Sequence, residues 1–186
     1  MKTLGSLLIL ITIPLVAVII VIFALLIIFE SKGTPFYSQT RLGKDGQSFK
    51  IYKLRSMYSD AEKNGPQWAL ANDKRITRVG KFIRKTRIDE LPQLWNILKG
   101  DMSLIGPRPE RPELIVEFEK TIPNFCDRLA VKPGLTGWAQ INGGYELTPA
   151  EKLGHDLYYI NNKCLLLDLK IILITGKVLL TGDGAR

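Results

Sequence analysis

The chain has 186 residues and a formal charge of +8, from 26 Lys and Arg against 18 Asp and Glu. That length suits one modest domain rather than two that fold independently. Its apolar residues are unevenly spread, for only Gly5, Ser6, Thr12 and Pro14 interrupt the aliphatic run from Leu4 to Phe29. The distribution argues against a soluble cytosolic globule and points to a membrane anchor followed by a basic body.

A bilayer-crossing helix needs roughly 20 apolar residues, so Leu4–Phe29 is long enough to span. A cleaved signal peptide fits poorly, because the apolar core is too long and Phe29-Glu30-Ser31-Lys32 offers no small-x-small site. Pro14 removes a helix N–H and crowds the preceding turn, which predicts a kink. Beyond it, Leu15–Phe29 gives roughly 22 Å of helix against a hydrocarbon core of about 30 Å. The residues therefore leave two topologies open: a single span, or a re-entrant helix that bends at Pro14 and returns to its own side. Lys2 on one flank, against Lys32, Arg41 and Lys44 on the other, points the body toward the cytoplasm.

Gly33-Thr34-Pro35 reads as a turn. Phe36–Gln39 and Phe49–Leu54 read as short strands paired around Gly43-Lys44-Asp45-Gly46, where Asp-Gly signals a hairpin. Residues 59–72, with Gly65-Pro66, read as irregular, and Asp73–Thr86 as a helix despite Gly80. Leu91, Leu94, Trp95 and Leu98 recur at helical spacing up to Gly100. Pro107, Pro109 and Pro112 mark a stiff segment, followed by a helix over Glu113–Lys120 and a turn at Lys132-Pro133-Gly134. Helices are expected over Ala150–Tyr159 and Cys164–Leu180. The last is too polar for a span, with Asp168, Lys170 and Lys177, which leaves an interfacial helix or an ordinary core helix.

Eight Lys or Arg and three acidic residues lie between Asp73 and Lys99. Such a run can be a solvated face or a contact for anionic headgroups. No nucleic-acid motif accompanies it, so nucleic acid is not an expected partner. Arginine's planar fork suits phosphate oxygens, and Arg84, Arg87 and Arg108 flank the most suggestive feature, Asp89-Glu90-Leu91-Pro92-Gln93. Adjacent carboxylates beside arginines can hold Mg²⁺ and leave one oxygen for attack; they can equally form an acidic first helical turn with Pro92 inside it. Gly106-Pro107-Arg108-Pro109 fixes the backbone on both sides of one arginine, as a presented guanidinium or as a plain turn. Gly134-Leu135-Thr136-Gly137-Trp138 and Gly143-Gly144 read as anion-facing loops or tight turns. Nucleotide motifs of the P-loop and dinucleotide types are absent. His155 is the single histidine, which excludes histidine-based zinc clusters. Cys126 and Cys164 form no paired motif and read as small buried residues in a reducing compartment. Trp68, Trp95 and Trp138 read as packing or interface anchors.

Six blocks, in order, carry a resemblance over nearly the whole chain. They are Pro35-Phe36-Tyr37-Ser38-Gln39-Thr40-Arg41-Leu42-Gly43, Tyr52-Lys53-Leu54-Arg55-Ser56-Met57, Asp73-Lys74-Arg75-Ile76-Thr77-Arg78-Val79-Gly80 and Arg87-Ile88-Asp89-Glu90-Leu91-Pro92-Gln93-Leu94-Trp95-Asn96. Lys99-Gly100-Asp101-Met102-Ser103-Leu104-Ile105-Gly106-Pro107-Arg108-Pro109 and Val131-Lys132-Pro133-Gly134-Leu135-Thr136-Gly137-Trp138-Ala139-Gln140 complete the set. The chain resembles the bacterial sugar transferase family, and within it the small monotopic polyprenyl-phosphate phosphoglycosyl transferases.

The resemblance implies an α/β, mainly helical fold: a Pro-kinked, re-entrant membrane helix over residues 1–32, and a cytoplasmic catalytic domain over 33–186 with interfacial amphipathic helices and a short β-hairpin. It implies that Asp89 attacks the sugar-bearing phosphate of a UDP-sugar and releases UMP. Polyprenyl (undecaprenyl) phosphate would then take the phosphosugar from the aspartyl intermediate. Glu90 would assist, with Asp89 and Glu90 as ligands of a Mg²⁺ cofactor, and Arg84, Arg87 and Arg108 would bind substrate phosphates. The implied setting is the cytoplasmic face of a bacterial inner membrane, at the start of capsule, exopolysaccharide or other surface-glycan assembly. Membrane lipids and downstream glycosyltransferases are expected partners, and the oligomeric state is open, a homodimer included. The chain departs from the family pattern in beginning almost directly with apolar residues and in having Ile13-Pro14 at the break. A multi-span N-terminal region of larger relatives is not in the sequence, so no fused second activity is expected. Two other readings compete: a membrane phosphohydrolase using Asp89 with water as acceptor, and a non-catalytic scaffold for glycan assembly.

Overall fold

The apolar N-terminal run folds into α1 (Lys2–Glu30), and its helical assignment continues through Pro14 without a break. The computed structural model describes residues 2–61, 63, 73–144 and 146–181; most of the 59–72 segment, with Gly65, Pro66 and Trp68, lies outside them. Among the described residues, α1 is the one helix long and apolar enough to cross a membrane. Leu15, Val18, Val21, Leu25 and Phe29 are all exposed along it, Phe29 by 85%. A core helix of a soluble protein would hide such side chains, because each stabilises the fold by roughly 1.5–3 kcal/mol when buried.

Contacts divide the chain into two units. One holds the residues up to Ser38 together with Tyr52–Leu94; the other holds Gln39–Ile51 and the described residues from Trp95 onward. A hairpin, β1 (Phe36–Leu42) and β2 (Ser48–Leu54), belongs by its base to the first and by its tip to the second. Both strands run longer than their apolar pattern suggests. The turn between them closes through Gly43 N–H on the Gln47 carbonyl at 2.8 Å, with Asp45 and Gly46 at positive φ.

In the first unit α2 (Arg78–Lys85) starts later than the expected Asp73, for a local reason. Asp73 holds the backbone N–H and the guanidinium of Arg75, and Ile76 bridges to Met57, so neither residue is available to a helix. Thr77 then caps the helix by accepting the Gly80 N–H at 2.9 Å. Gly80 is not a helix weakness here but a requirement. Its missing side chain lets α2 lie directly against the Ser56 carbonyl, where a Cβ would overlap backbone. Ile27, Leu54 and Ile83 form the buried centre of this unit, with Phe23, Val79 and Ile88 packed around them.

Two clasps join the end of α1 to the rest of the first unit. Glu30 takes the free backbone N–H groups of Arg78 and Val79 at 2.7 and 2.9 Å, which is a cap supplied from another helix. Arg55, itself buried, donates to the carbonyls of Lys32 and Ser31 at 2.6 and 2.7 Å. The α1 C-terminus therefore meets a cation, and the α2 N-terminus an anion, as the helix dipoles favour.

After α3 (Gln93–Lys99), Gly100 at φ 86° stops the helix as its position suggests. The apolar spacing in α3 does not mark its buried face. Gln93 and Asn96 are buried, whereas Trp95 is 59% exposed. Asn96 is kept inside because its side-chain amide satisfies the Lys50 carbonyl at 2.7 Å. Two three-residue strands, β3 (Ser103–Ile105) and, after α4 (Pro112–Thr121) and a 3-10 helix over Phe125–Ala130, β4 (Gly134–Thr136), pair in parallel with Ser103 opposite Gly134 and Ile105 opposite Thr136. The turn expected at Lys132-Pro133-Gly134 is instead the entry to β4. Short α5 (Trp138–Ile141) leads to Gly143 and Gly144, both at positive φ, which makes that pair a tight turn.

The chain closes with α6 (Pro149–Asn162) and α7 (Leu165–Thr181). Thr148 and Glu151 form a reciprocal capping box at the start of α6. Two further cores lie in the second unit, one around Ile105, Tyr159 and Ile171 and one around Ile115, Phe125 and Leu153. Asp168 explains itself here, because it is buried and accepts the Tyr159 hydroxyl at 2.9 Å. Burial and that carboxylate push the Tyr159 hydroxyl's pKa well above the ordinary tyrosine range. The outward face of α7 is apolar, with Leu165, Leu166, Leu169 and Leu173 exposed. Both cysteines are exposed rather than buried. Phe125 and Arg128 take the inward positions of the 3-10 helix that carries Cys126, and Cys164 falls in the break between α6 and α7.

Gly80→Ala is expected to lower stability by about 1–3 kcal/mol, the usual range for overpacking. Thermal unfolding in detergent checks it, and an unchanged midpoint would show that α2 does not need this close approach.

Candidate functional site

Asp89 and Glu90 sit in a 3-10 turn of their own, Ile88–Glu90, between α2 and α3. The expectation that Asp89 begins or caps the following helix is corrected, since Pro92 lies immediately before the first α3 residue and the dyad stands apart from that helix. The reason is Arg87. It takes a left-handed conformation at φ 57°, ψ 14°, which turns the chain sharply as α2 ends. A side-chain-bearing residue pays roughly 1–2 kcal/mol for that conformation, so the surrounding contacts must hold it there. The result is two adjacent carboxylates taken out of bulk water, Asp89 at 7% and Glu90 at 6% exposure.

A buried carboxylate is costly unless it is paired. Glu90 Oε1 accepts from Lys53 Nζ at 2.8 Å, and Arg87 Nη1 lies 4.0 Å from the same oxygen. Lys53 comes from β2, 37 residues earlier, and no spacing rule links it to the dyad. The one trace in the sequence is that Lys53 belongs to the Tyr52–Met57 block, which carried resemblance but no assigned role. Arg84, on α2, donates through Nε to Ser56 Oγ at 2.8 Å. Ser56 is thus doubly engaged, since its carbonyl also receives the Thr77 N–H and defines the floor that Gly80 rests on. The first unit therefore gathers Arg84, Arg87, Asp89 and Glu90, and adds Lys53 and Ser56.

Arg108 belongs to the second unit. The backbone just before it is fixed by β4: the Gly134 N–H bonds to the Pro107 carbonyl and the Gly106 N–H to the Thr136 carbonyl, both at 2.9 Å. Arg108 is half-buried between the buried rings of Pro107 and Pro109 and lines a small cavity with Leu42, Glu110, Arg128 and Val131. Beneath the loop, Arg128 donates to the Arg108 carbonyl at 3.0 Å and forms a two-point pair with Asp156 at 2.6 and 2.9 Å. Burial pushes the Asp156 carboxyl up against the opposing pull of Arg128. Glu110 faces Arg41 at 3.6 Å and Arg128 at 3.8 Å, which extends the network to β1.

Among the described residues, no group of three or more His, Cys, Asp or Glu forms a metal cage. His155 is partly buried in the middle of α6. Trp138 stacks on Tyr158 at 5.3 Å and lies under the Lys170 ammonium, which makes it a packing residue, whereas Trp95 presents its ring outward.

A model of the bacterial sugar transferase family matches residues 1–182. The chain belongs to that family. It is 49% identical over 179 residues to a UDP-N-acetylgalactosamine-undecaprenyl-phosphate N-acetylgalactosaminephosphotransferase of Aeromonas hydrophila, an alignment covering 95% of this chain and 42% of that protein. It is 44% identical over 184 residues to the galactosyl transferase CpsE of Streptococcus agalactiae, covering 92% of this chain and 40% of CpsE. A UDP-glucose:undecaprenyl-phosphate glucose-1-phosphate transferase of Caulobacter vibrioides is 43% identical over 178 residues, covering 92% of this chain and 66% of the relative. The chain thus spans from two-fifths to about two-thirds of the length of these relatives.

Asp156→Ala would leave Arg128 as a buried charge without its main partner. Breaking such a pair costs about 3–5 kcal/mol, so a drop of about 6–20 °C in thermal midpoint is expected for a family member of this size. A shift below two degrees would mean that Glu110 alone suffices.

Proposed function

We propose that this chain transfers a sugar 1-phosphate from a UDP-sugar to undecaprenyl phosphate at a membrane surface, through an aspartyl phosphosugar intermediate. The observation that carries the reading is the buried Asp89–Glu90 pair, braced by Lys53, in a chain whose relatives are named as undecaprenyl-phosphate sugar phosphotransferases.

An Asp89 carboxylate oxygen attacks the sugar-bearing phosphorus, and the bond from that phosphorus to the bridging oxygen breaks. The electron pair leaves with UMP. An oxygen of undecaprenyl phosphate next attacks the same phosphorus, and the Asp89 carboxylate leaves unchanged, giving undecaprenyl-diphosphate-sugar. One carboxylate serves both displacements because the intermediate stays covalently attached between them. Exclusion of bulk water from the dyad favours the lipid acceptor over hydrolysis.

Arg84 and Arg87 offer donor forks beside the dyad, and Arg108 offers another from its anchored loop; each is assigned to substrate phosphates. Lys53 holds Glu90 in place and offsets its charge. Magnesium characteristically takes one or two protein carboxylates and completes its shell with substrate phosphates and water. The adjacent, buried Asp89 and Glu90 fit that donor set, although among the described residues no larger cage surrounds them. Bound there, the ion would neutralise charge on the donor diphosphate.

The membrane setting is supported by the exposed apolar length of α1 and the apolar outward face of α7. We assign α1 to a re-entrant helix that bends at Pro14, residues 33–186 to a catalytic domain on the cytoplasmic face of the bacterial inner membrane, and α7 to an interfacial helix. The donor to test first is UDP-N-acetylgalactosamine, the sugar named for the Aeromonas relative, with UDP-glucose and UDP-galactose beside it.

Intact mass spectrometry of the detergent-purified chain with Mg²⁺ and each donor, in the absence of lipid, checks the mechanism. The expected result is a sugar-phosphate mass gain with UMP release, lost in Asp89→Asn and discharged by undecaprenyl phosphate. Lipid-dependent UMP release that survives Asp89→Asn would refute the covalent route. Discharge by water at the same rate as by lipid would favour a phosphohydrolase instead. Lys53→Ala is expected to slow adduct formation about 10–100-fold and raise the Mg²⁺ requirement, as loss of a ligand's outer partner does. Unchanged kinetics would remove Lys53 from the site.

A further inference from the structure

We propose that the outward face of α2 is a binding surface for the anionic headgroups of phospholipids, formed by Arg78, Lys81 and Lys85 around Phe82. The proposal rests on the reading that α1 lies in a membrane. Positions 78, 81, 82 and 85 follow the three- and four-residue spacing that puts side chains on one helix face, and all four are exposed. The opposite face is buried through Gly80 and Ile83. Arg84, which points to Ser56, is thereby separated from the outward cations. Neither Lys81 nor Lys85 is tied to a carboxylate among the described residues, so both ammonium groups can take an outside anion.

Phe82 supplies the second observation. It is 53% exposed, yet its ring stacks on Phe23 of α1 at 5.7 Å and 14°. An exposed ring stacked on the half-buried Phe23 of the apolar helix α1 belongs against lipid rather than water. Cations cannot follow it into hydrocarbon without a heavy cost, so their place is the headgroup layer. Helix α2 therefore fixes the depth of the α1 stretch beside it, from Phe23 to Glu30, at the bilayer surface. Phe82 enters the acyl boundary and the three cations meet phosphate above it. Each Lys or Arg at such a surface strengthens binding about fivefold at low salt.

Two measurements on the full chain test this. Alkaline carbonate washing of membranes tests the reading beneath it: release of the wild-type chain would remove the membrane placement and this surface together. Retention, with the second measurement, isolates the surface. The purified chain is equilibrated in mixed micelles holding equal phosphatidylglycerol and phosphatidylcholine, and the lipid retained on repurification is counted by mass spectrometry. The wild type is expected to enrich phosphatidylglycerol several-fold, and to lose that preference at high salt. Lys81→Gln with Lys85→Gln, which leaves the α2 backbone and its buried face intact, should bring the ratio toward one. Lys120→Glu, an exposed charge change on α4, should leave it high. An unchanged ratio in the Gln pair, or an equal fall with Lys120→Glu, would overturn the proposal.

Discussion

The carboxylate of Glu30 is the contact on which the first unit depends. It stands at the end of a helix made of side chains that water rejects, and it takes two backbone N–H groups that begin the helix carrying Arg84. Without it those donors would lack helical partners, and the apolar helix would have no polar tie to the charged part of the chain. Arg55 works in the opposite sense, closing carbonyls just beyond α1 and adding packing beneath the same corner. The two contacts turn an abrupt change of solvent preference into a fixed joint. The dyad is positioned a few residues farther along the same chain.

That dyad illustrates how strain and burial are balanced by contacts. Arg87 is held in a conformation that its side chain disfavours, and the turn it creates puts Asp89 and Glu90 out of bulk water. Lys53 offsets the charge on Glu90, and Ser56 steadies Arg84. Gly80 contributes by having no side chain, since any Cβ there would force α2 off the segment that carries Ser56. The site is built from elements that are rigid for separate reasons, which is what a geometry-sensitive displacement at phosphorus requires.

The second unit solves a different problem, presenting one arginine from a loop. Parallel pairing of β3 and β4 pins the backbone beside Pro107, and the buried Arg128–Asp156 pair supports the carbonyl of Arg108 from below. Such a pair is weak evidence of stability by itself, because dehydration offsets most of the attraction. Its value here is positional. Neither element was legible beforehand: three-residue strands carry no alternation to read, and nothing in the sequence says that Arg128 and Asp156 meet across 28 residues.

The sequence by itself determined what short-range chemistry dictates. A long apolar run forms α1; Asp45-Gly46 makes the hairpin; Gly100 stops α3; Thr148 and Glu151 begin α6. The ordered blocks around Asp89, Glu90 and Arg108 were enough to indicate the family that the whole-chain match establishes. Tertiary structure decided what depends on residues far apart. Lys53 reaches Glu90, Gly80 tolerates Ser56, Asn96 is buried to satisfy a strand carbonyl, and Trp95 is left outside. Cys126 faces outward because Phe125 and Arg128 take the inward positions of its 3-10 helix. Local propensity acts over a helical turn, whereas satisfaction of buried polar groups and exclusion of overlapping atoms act wherever folding brings the chain together. No periodicity in the sequence records those meetings.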